Sequence, residues 1–249
     1  MRRLVHTELL KQRTTRTFVF GVASAPVVAV LVTYANYSLA GKQGNDPLGA
    51  HSFVQALGAP ASVITLIALL LGVLGMAGEY RHHTVTTTFL ATPRRSRVVV
   101  AKLVAHGLVG ALMGVASMAA AALVAVPWLA SSDVALHVDG DVARVAAGMV
   151  VAPALYAALG VAIGALVRNQ TTAIATVLVW MLAVEGILGQ VFHSASFVGW
   201  LPAAVGADLT YVGSGRPDLT MPVAALAFLA YVFVFGFLGV RLTTRRDIT

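Results

Sequence analysis

Residues 60 to 78 read PASVITLIALLLGVLGMAG, Pro60 to Gly78, with no charged side chain. At 1.5 Å per residue, about 20 apolar residues cross a hydrocarbon core of roughly 30 Å, where a helix satisfies its own backbone polar groups. The run ends abruptly at Glu79-Tyr80-Arg81-His82-His83. A membrane-spanning helix followed by a charged loop is the simplest reading of this stretch. Working outward, five further segments meet the same requirement: about 17–37, 103–129, 142–167, 171–192 and 221–240. The fourth and fifth are separated only by Arg168-Asn169-Gln170, a turn short enough to force antiparallel neighbours.

Composition agrees. Apolar residues are 58% of the 249 positions and charged ones 11%, against roughly 45–50% and about 25% in a soluble domain. There are 17 Lys and Arg against 10 Asp and Glu, but the basic residues sit between apolar runs and form no solvent-facing stripe. A nucleic-acid partner is therefore not expected. With no cysteine, a disulfide frame, a thiolate metal site and a cysteine nucleophile are excluded.

Orientation follows from the excess of Lys and Arg on the cytoplasmic side of short loops. Arg2, Arg3, Lys11, Arg13 and Arg16 precede the first span, and Arg81, Arg94, Arg95, Arg97 and Lys102 lie between the second and third. Arg168, Arg241, Arg245 and Arg246 fall on the same side, leaving only Lys42, Arg144 and Arg216 for the other. That other side holds Asp46, Asp133, Asp139, Asp141, Asp208 and Asp218. The expectation is one all-α, multi-pass domain over residues 1–249 with six spans and both termini cytoplasmic. The first apolar run reads as a retained span, since no small-residue cleavage site closes it. Gly110 and Gly114, Gly160 and Gly164, and Gly72, Gly75 and Gly78 recur at helical spacing. They provide close-approach grooves within one bundle, or a dimer contact.

Residues 1–16 read as a basic, partly amphipathic helix with Leu4, Val5, Leu9 and Leu10 on one face. Such a helix lies in the membrane interface, arginines toward anionic head groups; the alternative is a basic flank that merely orients the first span. Between the second and third spans a short helix is expected from Thr84 to Leu90, ended by Thr92-Pro93, because proline disfavours helix at the residue before it. A helix tied at both ends to spans cannot move without moving them.

Here the chain resembles the permease subunits of ABC exporters of the ABC-2 type. Glu79, Tyr80, Arg81 and Thr84, then Phe89 and Leu90, then Pro93, Arg94, Arg95 and Arg97, then Lys102, are similar to that family's E-x-R-x-G-T, leucine pair, T-P-x-S-R and downstream lysine. His83 stands where the family usually has glycine. The basic N-terminal helix, the six spans and the tail ending Arg245-Arg246-Asp247 are similar as well. The resemblance implies an exporter half. Two such permeases, identical or homologous, would form the pathway, and two separate ATPase subunits, holding ATP and Mg, would dock under the coupling helix Thr84 to Leu90. It also implies a bacterial cytoplasmic membrane. The chain itself has no phosphate-binding loop: its only Gly-Lys pair, Gly41-Lys42, lacks the required spacing and the following Ser or Thr.

Other constellations are weighed against this. Glu185 is the one acid well inside a span, where a charge costs roughly 2.5–3.5 kcal/mol, so it faces a pathway, a cavity or a partner. It is a candidate for substrate contact or for proton exchange in a secondary transporter. Alternatively it lies nearer the outer surface, held by Gln190 or His193. The stretch 193–220 is too apolar for a free loop and too broken for a span. In the resembled family this region forms re-entrant helices, which makes Phe197, Trp200 and Leu201 gate candidates. Interfacial anchoring by Trp200 and Tyr211 is the plainer reading. Asp139-Gly140-Asp141-Val142-Ala143-Arg144 matches part of a membrane transferase metal motif, but Leu136 occupies the upstream ligand position and no aspartate follows. No catalytic or metal-ligating set is expected. His82 and His83 are neighbours about 100° apart on a helix and do not chelate together. A non-transporting scaffold or sensor remains the third functional class.

Overall fold

The structure, a computed structural model, describes residues 1–42, 45, 47–49, 51–82, 84, 95–167, 169–192, 195–210 and 219–245. Among these the chain is helical: α1 (Arg2–Thr14), α2 (Arg16–Leu39), α3 (Ser52–Gly58), α4 (Ala61–Arg81), α5 (Arg95–Ser131), α6 (Gly140–Val167), α7 (Gln170–Val179), α8 (Glu185–Val191), α9 (Pro202–Thr210) and α10 (Met221–Arg245). Six helical stretches are long and apolar enough to cross a membrane: Arg16–Leu39, Ser52–Arg81, Ser96–Ser131, Gly140–Val167, Gln170–Val191 and Met221–Leu242.

Burial ranks them. The apolar windows of the second and fourth stretches are 56% and 61% buried, against 17–22% for the first, fifth and sixth. α4 and α6 are therefore the central pair, with α5 against α6 and the others around them. The glycines explain how these helices approach. A Cβ at Gly72 would overlap the Ala157 carbonyl, and one at Gly160 the Leu69 carbonyl, so α4 and α6 touch backbone to backbone. Gly110 and Gly114 do the same on α5 against the Pro153 and Met149 carbonyls of α6. With no hydrophobic force between helices in lipid, such close approach supplies the dispersion that holds them. These glycines pack inside one bundle, whereas Gly78 meets open space.

Three features depart from the pattern read in the chain. α3, short and buried, opens the second stretch ahead of the expected start at Pro60 and is fastened where the Tyr37 hydroxyl donates to the Ser52 carbonyl at 3.0 Å. α5 begins at Arg95 rather than near Leu103, because Lys102 is buried by pairing and does not mark a loop. The fifth stretch is interrupted by a π-helical turn, Trp180–Val184, between α7 and α8. α7 starts on an Asn169 cap, whose side chain accepts from the Thr172 N–H at 3.0 Å. In the 193–220 region, a 3-10 turn, Val198–Trp200, leads into α9, which has Pro202 at its first position and buries Val205 and Leu209 against α6 and α10.

Candidate functional site

The polar centre of the molecule is at the end of α4 that carries Glu79. Lys102, one turn into α5 beyond Val98, is 1% exposed and heads the fully buried side chains by size. Its ammonium donates to Glu8 Oε2 at 2.6 Å, to Glu79 Oε1 at 2.8 Å and to the Gly75 carbonyl at 3.3 Å. Lys11 donates to Glu8 Oε1 and to the same Glu79 oxygen, both at 2.9 Å. The result is a closed ring of two cations and two carboxylates that joins α1, α4 and α5. A charge buried alone costs several kcal/mol, so the ring is stable only when complete.

Contacts of His106, Gln12 and Phe18 extend it. His106, one turn beyond Lys102, lies between Gln12 (Nε2 to Nδ1, 3.1 Å) and the Lys102 carbonyl (2.9 Å), with Phe18 edge-on at 5.5 Å between centroids. Gly75 is required here, since a Cβ would overlap the His106 ring. Among the described residues, Glu79 Oε2, His106 Nε2 and Gln12 Oε1 are buried without a hydrogen-bond partner. They border a polar cleft of about 740 Å³ whose walls include Lys11, Glu79, Arg81, Thr84, Lys102 and Gln170.

Of the residues singled out in the sequence, Glu79, Arg81 and Thr84 thus share one cleft with Lys102. Arg81 donates to Gln170 Oε1 at 3.4 Å, linking the end of α4 to the start of α7. Tyr80 packs against Val98 and Met76, Arg97 is exposed, and Arg95 opens α5. Thr84 is helical and exposed. The rest of the expected coupling helix, with Phe89, Leu90, Pro93 and Arg94, lies outside the described residues. Glu8, Gln12 and His106 belong to no motif in the sequence. Their only signal is polarity at four-residue spacing, Glu8 with Gln12 and Lys102 with His106, one helical turn apart on facing surfaces.

The electrostatics of α1 give a pH dependence. Burial pushes the Glu8 carboxyl up, but Lys102 and then Lys11 outweigh it and hold it below the ordinary value of 4.5. Burial works against the Lys11 charge, but hydrogen bonds to Glu8 and Glu79 outweigh it and raise this group above 10.5. A lowered carboxyl stabilises docking fully above about pH 4.5 and loses that contribution as pH falls through the folded value. A raised amine contributes fully below about pH 10.5 and loses it above. A spin label at Thr7→Cys should therefore stay immobile from about pH 5 to 10 and gain mobility in acid. In the Glu8→Gln background the acid transition should disappear; a transition of unchanged size would contradict the assignment to Glu8.

At the other end, Glu185 is engaged. Its backbone N–H reaches the Trp180 carbonyl across the π turn, and the Trp180 indole donates to its Oε1 at 2.6 Å. Its Oε2 accepts from the Ala203 N–H, in the first turn of α9, at 2.7 Å. Its described partners do not include Gln190, and His193 lies outside the described residues. This carboxylate ties the fifth stretch to α9, immediately beside Leu201 and Trp200. Trp200 is exposed and its carbonyl accepts from the Tyr231 hydroxyl at 2.5 Å; Phe197 is exposed and meets Phe192 with tilted rings, 5.7 Å between centroids. The Tyr156 hydroxyl donates to the Pro202 carbonyl at 2.9 Å. Beside α9 is a cavity of about 450 Å³ walled by Gln55, Ser62, Thr65, Tyr156, Met181 and Thr210 among others. Asp139 and Asp141 come within 4.8 Å of His51, all three exposed.

Six apolar helical stretches, with a charge ring joining α1, α4 and α5, define a multi-pass membrane protein. The comparison with known families makes this particular. Residues 4–195 match the model of the ABC-2 family transporter protein, and the chain belongs to that family as an ABC-2 type permease. No curated protein matches it.

Proposed function

We propose that this permease is the membrane half of an ATP-driven exporter in the cytoplasmic membrane of a bacterium, working as a dimer with two copies of a separate ATPase. The reading rests above all on the ring of Glu8, Lys11, Glu79 and Lys102. It fastens α1, α4 and α5 where the chain leaves α4 toward the segment around Thr84 to Leu90. A push on that segment, transmitted from ATP-bearing partners, would move three helices as one body. ATP and Mg are assigned to the partner. Both termini are placed on the cytoplasmic side by the distribution of Lys and Arg.

The cavity beside α9 supports a small, largely hydrophobic substrate, a drug-like or antibiotic-like compound or a lipid, which Gln55, Ser62, Thr65 and Tyr156 would meet with a few polar groups. Glu185, Phe197, Trp200 and Leu201 are assigned to the outer gate, since Glu185 fastens α9 to the fifth stretch. A proton-driven carrier using Glu185 is less supported, because both carboxylate oxygens already accept hydrogen bonds.

Two experiments test the reading. In the assembled transporter, Glu79→Gln and Arg81→Ala should leave ATP hydrolysis running while export falls by about tenfold, the scale of a typical coupling free energy. Unchanged export in both variants would refute the coupling role. Because the chain lacks cysteine, Thr88→Cys offers a single labelling site. An impermeant maleimide should reach it only after the cells are opened, and labelling of intact cells would overturn the topology.

A further inference from the structure

Between α1, α2 and α5 runs an apolar groove of about 530 Å³, which shares Gln12 and Phe18 with the polar cleft and none of its lining with the α9 cavity. Its apolar lining includes Leu9 and Leu10 of α1, Phe18, Val19 and Val22 of α2, and Leu112 of α5. Val19 and Leu112 are also exposed on the outer faces of their spans, 48% and 58%, so the groove opens onto surface that faces acyl chains. The polar members of the lining are His6, Gln12 and Arg13. His6 and Arg13 are exposed, whereas Gln12 is 6% exposed and its amide oxygen has no partner among the described residues.

The charge around this groove is one-sided. Among the described residues the ion pairs of α1 use Lys11 and Glu8, and no carboxylate lies within 4.0 Å of Arg2, Arg3, Arg13 or Arg16. The single acid of α1 is thus consumed by the buried ring, and the arginines remain available to an outside anion. An occupant must combine an apolar chain with a negative head, and must reach the groove along the side of a membrane span. Both requirements are met by one class of molecule.

We propose that the groove binds an anionic phospholipid, one acyl chain lying against Phe18, Val22 and Leu112 and the phosphate meeting Arg13. A volume of about 530 Å³ suits one chain rather than a whole lipid. Gln12 carries the consequence inward, because its amide touches His106 on one side and lines the groove on the other. Lipid occupancy would steady α1 on the same polar centre that holds Glu79. The proposal rests on α1 lying at the membrane surface. It requires no ATPase partner, so it stands or falls with the permease alone.

The test is native mass spectrometry of the full-length chain in mild detergent, offered equal amounts of phosphatidylglycerol and phosphatidylcholine with matched acyl chains. Phosphatidylglycerol adducts should exceed phosphatidylcholine adducts about fivefold, the factor given by about 1 kcal/mol per basic residue near the phosphate. Arg13→Gln should abolish the preference while leaving weak retention of both lipids. Leu112→Trp, which fills the groove, should reduce retention of both. Excess soluble glycerophosphoglycerol should displace nothing, because it lacks the chain. Equal retention of the two lipids by the wild type would overturn the proposal. So would an undiminished preference in Arg13→Gln, full retention in Leu112→Trp, or displacement by the soluble head group.

Discussion

Lys102→Met is expected to be the most damaging single substitution in the charge ring. The side chain is 2% exposed, and its ammonium neutralises Glu8 and Glu79 at 2.6 and 2.8 Å. Removing one partner of a buried pair typically costs about 3–5 kcal/mol, because the remaining charge is left without compensation. For a chain of this size that is a fall of roughly 10 °C in Tm, readable by thermal aggregation in detergent. Lys11 does not substitute for it, since its side chain is 42% exposed and its ammonium already engages the same two carboxylates. The decisive control is the triple variant Lys102→Met, Glu8→Gln, Glu79→Gln. It removes the charges on both sides and should recover most of the lost stability. Equal instability of the single and triple variants would show that the methylene packing of Lys102, and not its charge, carries the effect.

Gly72→Ala should be the second large loss, and Gly78→Ala its counterpart. The two glycines lie on the same helix, and a naive propensity argument favours alanine at both by up to about 1 kcal/mol. At Gly72 the added methyl overlaps the Ala157 carbonyl and crowds the Val161 N–H, both backbone groups of α6 that no rotamer change can move aside. Overpacking of this kind costs about 1–3 kcal/mol, and more where a backbone must shift. At Gly78 nothing lies within 4 Å, so alanine should be neutral or mildly stabilising. Thermal stability of the two variants side by side checks this. Equal behaviour would mean that α4 and α6 are not in backbone contact at Gly72.

How much of this was legible in the chain depends on whether the signal is local. The apolar stretches were, because runs of about twenty residues with at most one charge have few alternatives in water. The Glu79, Arg81 and Thr84 pattern was legible as a family resemblance, and three of its side chains do share one cleft with Lys102. What was hidden is the use of α1. Its leucines marked one face, yet the residues it buries are Glu8 and Gln12. Their partners are separated from them by 94 positions in sequence, and no periodicity reports such a pairing. The same blindness put the start of the third span near Leu103: a lysine reads as a loop unless its counter-charge is known. The π turn at Trp180–Val184 was equally invisible, since no proline or glycine marks it and its purpose, seating Glu185 against α9, is tertiary.

The bond between Glu8 and Lys102 also sets an order of events during synthesis. The first helix emerges from the ribosome long before its partner, and at about 5–20 residues per second it waits several seconds for the third span to be made. Until then it carries Glu8 and Gln12 with nothing to receive them, so it is expected to remain loosely held at the bilayer. Insertion of the third span delivers the lysine and closes the assembly from its far end. Nascent chains arrested just before residue 102 should therefore expose the amino-terminal segment to protease, and those arrested well beyond it should protect it.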